Sequence, residues 1–240
     1  DNNRGQFFIG NPNLDFASAL NYDLMFEQYK NSSIFSAGIF YKQISNIPYM
    51  FRGLLRNQGE LDEGELNVGT DEITFATNGD GAEVFGVELQ AQFKFGFLTG
   101  FLSNFGIYSN YTYTNSATTI SAVPSVNLVD APAVYFTNEG LDSYINSLET
   151  REFTLPGQST HTGNMALFYD GDKFFARLSA NYQDEFLVSI GLDRDFDEYY
   201  DEAFRLDYTM NYQVNGMITV FSDFINITNT PLRFYLGQPD

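Results

Sequence analysis

Apolar and polar residues alternate with a period of two along most of the chain, and the 3.6-residue period of an amphipathic helix is hard to find anywhere. Eight runs carry the alternation: 19–29, 34–43, 83–95, 104–114, 161–169, 174–183, 205–214 and 217–226. In 83–95, Phe85, Val87, Leu89, Ala91 and Phe93 oppose Gly86, Glu88, Gln90, Gln92 and Lys94. In 205–214, the cleanest run, Leu206, Tyr208, Met210 and Tyr212 oppose Arg205, Asp207, Thr209, Asn211 and Gln213. The pattern predicts eight strands. At about ten to fourteen residues they exceed the five or six usual in a sandwich and suit a tilted bilayer span.

The connections alternate too. Asn31-Ser32-Ser33, Asp170-Gly171-Asp172-Lys173 and Asn215-Gly216 read as tight turns, the last being a strong hairpin signal. Residues 45–82, 115–159 and 184–203 read as long, irregular links. Short turns at one end and long loops at the other describe an outer-membrane barrel, although a soluble sandwich shows the same alternation with its apolar face turned inward. Three features favour lipid. No charge falls on the apolar set of any run, Tyr29, Tyr113, Tyr169, Tyr182 and Tyr212 sit at strand ends where an aromatic girdle would lie, and the turn asymmetry holds throughout. The expected fold is all-β: a transmembrane antiparallel β-barrel, or part of one.

Composition narrows the function classes. Among 240 residues there is no Cys and one His, which removes disulfide frameworks, thiolate metal sites and thiol nucleophiles. The formal charge is −19, from 12 basic and 31 acidic side chains, and no basic cluster offsets it, so nucleic acid is not an expected partner. No apolar run approaches the roughly 18 residues of a spanning helix, which leaves β-barrel spans untouched. The three long links hold twenty carboxylates against four arginines, placing a net −16 on one rim. Such a rim should slow anionic ligands and favour neutral or cationic ones.

Several segments, in order, resemble the barrel of TonB-dependent outer-membrane receptors. Gly10-Asn11-Pro12-Asn13-Leu14 followed by Asn21-Tyr22-Asp23-Leu24 is similar to one strand signature of that family, with Asp15-Phe16 in place of the usual Pro-Glu. Phe40-Tyr41-Lys42, Gly86-Val87-Glu88-Leu89, the stretch from Leu155-Pro156-Gly157 through Tyr182-Gln183-Asp184-Glu185, and Asn226-Ile227-Thr228-Asn229 resemble others. The family's plugged barrel has about 22 strands, and the resemblance places these eight near the fourteenth to twenty-first. It implies that residues 1–240 are part of such a barrel, without a plug domain or closing strand, and with an unpaired tail after the eighth strand. It also implies an outer-membrane receptor of a Gram-negative bacterium, with long loops extracellular, that takes up a scarce siderophore, cobalamin, glycan or peptide with TonB-supplied energy. The implied partners are outer-membrane lipid, TonB through the plug region, an extracellular ligand and, as a candidate, a surface lipoprotein. The alternatives are a passive porin-like channel and a soluble β-sandwich adhesin or binding module.

The polar ladders are the candidate lumen-facing ligand contacts: Glu88, Gln90, Gln92, Arg177, Asn181, Arg205, Asp207 and Asn211. Asp193, Asp195 and Asp197 have the spacing of a weak calcium loop, but Glu198 stands where such a loop wants Gly and Phe204 where it wants Glu. No other cofactor is expected. His161 has no second ligand-type partner and reads as a polar residue at a strand's outer end. Asn78-Gly79-Asp80-Gly81 lacks the Lys of a phosphate loop and reads as a turn. Pairs such as Glu63 and Glu65 are expected by chance in so acidic a chain, and no catalytic residue is assigned.

Overall fold

The computed structural model describes residues 6–30, 33–54, 72–121, 150–190 and 194–237. Eight strands correspond to the eight alternating runs: β2 (Ser18–Lys30), β3 (Ser33–Ser45), β6 (Gly81–Lys94), β7 (Phe105–Ser121), β9 (His161–Asp170), β10 (Phe174–Gln183), β13 (Ala203–Gln213) and β14 (Thr219–Phe224). They form one antiparallel sheet in the order β14-β13-β10-β9-β7-β6-β3-β2. Each is hydrogen-bonded to its sequence neighbours among the eight, the meander that hairpins and single return links produce. Among the described residues, β2 and β14 each pair on one side only, so the wall is unclosed.

Directly paired residues of an antiparallel ladder share a face, so register shows where each run points. One row reads Phe26, Ala37, Leu89, Tyr111, Gly163, Tyr182 and Phe204; another reads Phe93, Ile107, Leu167, Leu178, Tyr208 and Phe224. Both lie on one face. The opposite face carries Glu27, Ser36, Gln90, Asn110, Asn164, Asn181 and Arg205 in a single row. A one-residue slip anywhere would invert this separation, and none occurs in these ladders.

The apolar face is bare. Leu24 is 69% exposed, Met165 53% and Leu178 45%. No second sheet covers it among the described residues. A continuous apolar face of this kind exceeds what a soluble monomer leaves in water, which removes the sandwich reading and fits lipid contact.

Two bulky residues on the polar face, Phe40 and Phe168, break the alternation for a packing reason. Phe40 pairs with Gly86 and Phe168 with Gly106, and each ring lies over its glycine. A Cβ on Gly86 would sit 2.1 Å from the Phe40 ring and 2.7 Å from the Tyr113 carbonyl oxygen. The rings thus cover backbone that a side chain would otherwise shield.

Several expectations need correction. β7 runs on to Ser121, because Thr114, Ser116 and Thr118 remain paired with β6. The last strand begins at Thr219 and ends at Phe224, shorter than 217–226 at both ends. The Asn215 side-chain oxygen accepts from the amides of Met217 (2.9 Å) and Ile218 (3.0 Å) and holds both in the turn. The long links are not irregular throughout: they hold β4 (Pro48–Leu54), β5 (Glu72–Asn78), β8 (Thr150–Phe153), β11 (Phe186–Ser189) and β12 (Glu198–Tyr200). β1 (Gln6–Ile9) pairs in parallel with β5, which pairs with β4, and β8 continues the main sheet beside β7. Nor is the tail unpaired, since β15 (Phe234–Leu236) pairs with β12. Tyr113, Tyr169, Tyr182 and Tyr212 fall on the apolar face, but Tyr29 shares the polar face with Glu27, to which its hydroxyl donates at 2.9 Å.

Two predictions follow from register. In the full-length protein, Leu206→Arg or Met210→Arg should cost about 2–4 kcal/mol near the bilayer midplane and Asn211→Arg much less, as read by a membrane folding titration. Equal tolerance of all three would remove the orientation. Gly86→Ala should cost about 1–3 kcal/mol through overpacking, and Phe40→Leu in the same chain should recover part of that loss.

Candidate functional site: the long-loop end of the wall

The loop-end elements fold over the polar face. Ala82, Val84, Thr114, Ser116 and Thr118 are buried, all on polar-face rows, while Phe85 on the apolar face between them is 44% exposed. The Leu155 amide donates to Ser116 Oγ (3.0 Å), and the Gln183 side chain donates to Ser159 Oγ (3.1 Å), which stitches 154–160 across the mouth. Gly157, at φ +80, donates its amide to the Leu187 carbonyl (2.7 Å), a backbone conformation that favours glycine. Phe153 and the fully buried Leu187 form a small core against Tyr49, Ile190 and Tyr199, so three separate links share it.

One ion pair ties this cluster together. Arg151 Nη2 lies 2.6 and 2.8 Å from the two carboxylate oxygens of Asp197, and both side chains are largely buried. The Arg151 guanidinium also stacks 4.1 Å from the Phe153 ring centre. The tail adds a second set of contacts. Tyr235 donates to Glu185 (2.8 Å) and stacks on Tyr199, and Arg233 pairs with Asp201 (2.7 Å). Burial and the Glu185 carboxylate hold the Tyr235 phenol well above its usual pKa, so it remains a donor; burial, then Asp197, pushes Tyr199 up as well.

Between these elements lies a cavity of about 390 Å³. Its lining mixes aromatic faces (Phe153, Phe186, Tyr199) with two arginines (Arg151, Arg194) and four carboxylates (Glu152, Asp184, Glu185, Asp197). Among the described residues, two side-chain atoms of the lining residues, Arg151 Nε and Gln158 Oε1, are buried without a hydrogen-bond partner. The cavity sets charged side chains beside flat apolar surfaces, which suits a polar organic molecule better than a bare ion.

All eight lumen candidates lie on the polar face, but they divide by what they touch. Asn181 donates to Asp207 (3.0 Å), whose other oxygen accepts from the Asn226 amide (2.7 Å), and Arg205 donates to the Tyr200 hydroxyl (2.8 Å). Those three hold the wall to its loop end. Arg177 bonds Ser179 (3.0 Å) and reaches over the Tyr108 ring. Glu88, Gln90, Gln92 and Asn211 make no side-chain hydrogen bond among the described residues and lie open on the polar face.

Of the calcium candidates, Asp193 lies outside the described residues, Asp195 sits in a 3₁₀ turn (Arg194–Phe196), and Asp197 is committed to Arg151. Glu63 and Glu65 also lie outside the described residues. His161 stands at the outer end of β9 on the apolar face, 2.7 Å from the Tyr111 hydroxyl and beside Tyr113. Asn78-Gly79-Asp80-Gly81 is the turn that carries the chain from β5 into β6, and the Asn78 amide nitrogen donates to the carbonyls of Asp15 and Asn46. The cavity itself had no sequence signal, because its walls come from residues 151–160, 184–187 and 194–199 with no shared period.

The TonB-dependent receptor-like β-barrel family matches residues 1–229. The chain belongs to that family. Its wall is similar in fold to the unliganded ferric citrate transporter FecA, at 15% identity and TM-score 0.54, over 92% of this chain and 29% of that one. It is also similar to a mutant ferric enterobactin receptor, PfeA of Pseudomonas aeruginosa, in complex with enterobactin, at 13% identity and TM-score 0.58, over 92% of this chain and 27% of that one. This receptor-barrel segment thus spans less than a third of either receptor's length, and at such identities the likeness is one of fold. No curated protein matches it.

The ion pair generates a prediction for this segment. Arg151→Met should leave the Asp197 carboxylate buried without its bidentate guanidinium, at a cost of about 3–5 kcal/mol to the loop cluster, whereas Arg151→Met with Asp197→Leu should cost less. Limited proteolysis of the full-length protein at residues 184–202 reads the difference; equal protection of parent and single variant would show that the pair does not organise the loops.

Proposed function

We propose that this chain is part of an outer-membrane receptor that captures a scarce extracellular ligand at its long-loop end and takes it up with TonB-supplied energy. The inward-folded loop cluster carries the reading: a mouth narrowed by Phe153, Leu187 and the Arg151–Asp197 pair suits selective capture better than free passage. Family membership supports an outer-membrane setting. The open edges of β2 and β14 call for further strands, because unpaired backbone in hydrocarbon costs several kcal/mol per group. We assign those strands, and a plug filling the polar side, to the rest of a longer protein.

The loop end, in this reading, faces outward and the short turns face the periplasm. Ligand contacts divide between the loop-end cavity and the open set Glu88, Gln90, Gln92 and Asn211. The cavity's four carboxylates against two arginines favour a neutral or cationic ligand. A polar organic molecule can meet the lining's charged groups while resting on the aromatic faces of Phe153, Phe186 and Tyr199.

Energy coupling separates this function from a passive channel. In cells expressing the full-length receptor, accumulation of a candidate neutral ligand should stop when TonB is deleted while surface binding persists. Accumulation that survives the deletion would establish the porin-like alternative. Asp184→Asn with Glu152→Gln should raise the association rate of a matched anionic ligand at low salt and change it little at high salt. An unchanged low-salt rate would remove the charge argument.

A further inference from the structure

The link between β6 and β7 is longer and more aromatic than the turns joining β9 to β10 and β13 to β14 at the same end. It runs Phe95-Gly96-Phe97-Leu98-Thr99-Gly100-Phe101-Leu102-Ser103-Asn104 without a charged residue, whereas β9 and β10 are joined through Asp170-Gly171-Asp172-Lys173. Its backbone is built to a pattern. The Phe95 amide donates to the Phe105 carbonyl and the Leu98 amide to the Phe95 carbonyl, each at 2.8 Å. Gly100, at φ +66, turns the chain into a short 3₁₀ helix (Gly100–Asn104), where Ser103 Oγ donates to the Gly100 carbonyl at 2.7 Å.

This ordered link holds its apolar side chains outward. Phe97 is 81% exposed and Phe101 67%, with Leu98 and Leu102 exposed beside them. Their direction follows from the rings they meet. Phe101 packs edge-on against Phe105, 6.3 Å between centres, and Phe105 packs against Tyr169 at 5.1 Å. Phe105 and Tyr169 are directly paired and share the lipid-facing row with Ala176 and Met210. The exposed cluster is therefore continuous with the lipid-facing surface and its aromatic band.

We infer that residues 95–104 form a membrane-interface anchor, with Phe97, Leu98, Phe101 and Leu102 seated at the headgroup–acyl boundary of the leaflet nearest the short turns. The occupant is phospholipid: an uncharged aromatic cluster that extends a lipid-facing girdle matches the composition of an interfacial belt. The link would fix the depth of the β6–β7 hairpin, as the polar turn between β9 and β10 cannot. The inference rests on the barrel orientation, and its test separates the two.

The chain contains no Trp, so single Trp substitutions can be followed as differences from the parent. The full-length receptor is placed in vesicles of phosphatidylcholine, with and without bromine on the acyl chains, as Phe97→Trp, Asp172→Trp and Leu167→Trp variants. Phe97→Trp should lose much of its emission to brominated lipid and little to aqueous iodide, and Asp172→Trp the reverse. Leu167→Trp, on the lipid-facing row, should be quenched by brominated lipid; if it is not, the barrel orientation fails rather than the anchor. With Leu167→Trp behaving as expected, iodide quenching of Phe97→Trp equal to that of Asp172→Trp overturns the anchor. Protection of Phe97→Trp from both quenchers marks a protein occupant and overturns the lipid assignment.

Discussion

A strand that crosses hydrocarbon must find partners for its N–H and C=O groups in the strands beside it, since no water is available there to take them. That requirement locks the register of all eight strands, and register then decides which side chains meet lipid. From Phe26 across to Phe204, the row stays on one face through seven strands. The same constraint makes the edges of β2 and β14 unsuited to lipid on their own. Even the covering of Gly86 by Phe40 and of Gly106 by Phe168 belongs to it, because each ring is placed by the ladder pair that brings its glycine alongside.

Beyond the hydrocarbon, backbone pairing no longer dictates position, and side-chain contacts take over. The loop end is organised by a short list of interactions between distant parts of the chain: Arg151 with Asp197, Phe153 with Leu187, Tyr235 with Glu185. Small sheets give these contacts a frame, above all the β11-β12-β15 sheet that draws the tail back over the loops. Position there depends on few groups, so loss of one partner is felt across several links. The wall, with its repeated ladder, distributes the same burden over many bonds.

This difference explains what could be read from the sequence. Period-two alternation is a direct consequence of the pleat, so the eight runs locate the eight strands to within a few residues, apart from the outer extension of β7. Turn chemistry was legible for the same reason: Asn215 acts through its own side chain within three residues. The candidate site was legible only as a face. Glu88 and Asn211 were assigned to it by parity, but parity cannot show that Asp207 and Arg205 are engaged by Asn226 and Tyr200. Tyr29 shows a second limit, because nearness to a strand end does not specify a face. The β4, β5, β8, β11 and β12 segments are short, and their pairing depends on partners far away in sequence, so no local period announces them.

Formal charge on the rim overstates the field that a ligand meets. Asp201 is paired with Arg233 from the tail, a cation that lies outside the three long links and is not counted in their −16. Glu185 and Glu198 accept hydrogen bonds from Tyr235 and Ser189, so their charge is partly spread into the loop framework. Carboxylates more than about 8 Å away are largely screened at physiological salt, which confines their influence to the approach path. Inside the cavity, four carboxylates and two arginines stand close together, with one carboxylate already paired to one arginine. In the proposed function, selectivity there rests more on how the charged groups are set among the aromatic faces than on net charge. In that same proposed function, the acidic rim sets how often a ligand arrives and the geometry of the mouth sets which ligand stays.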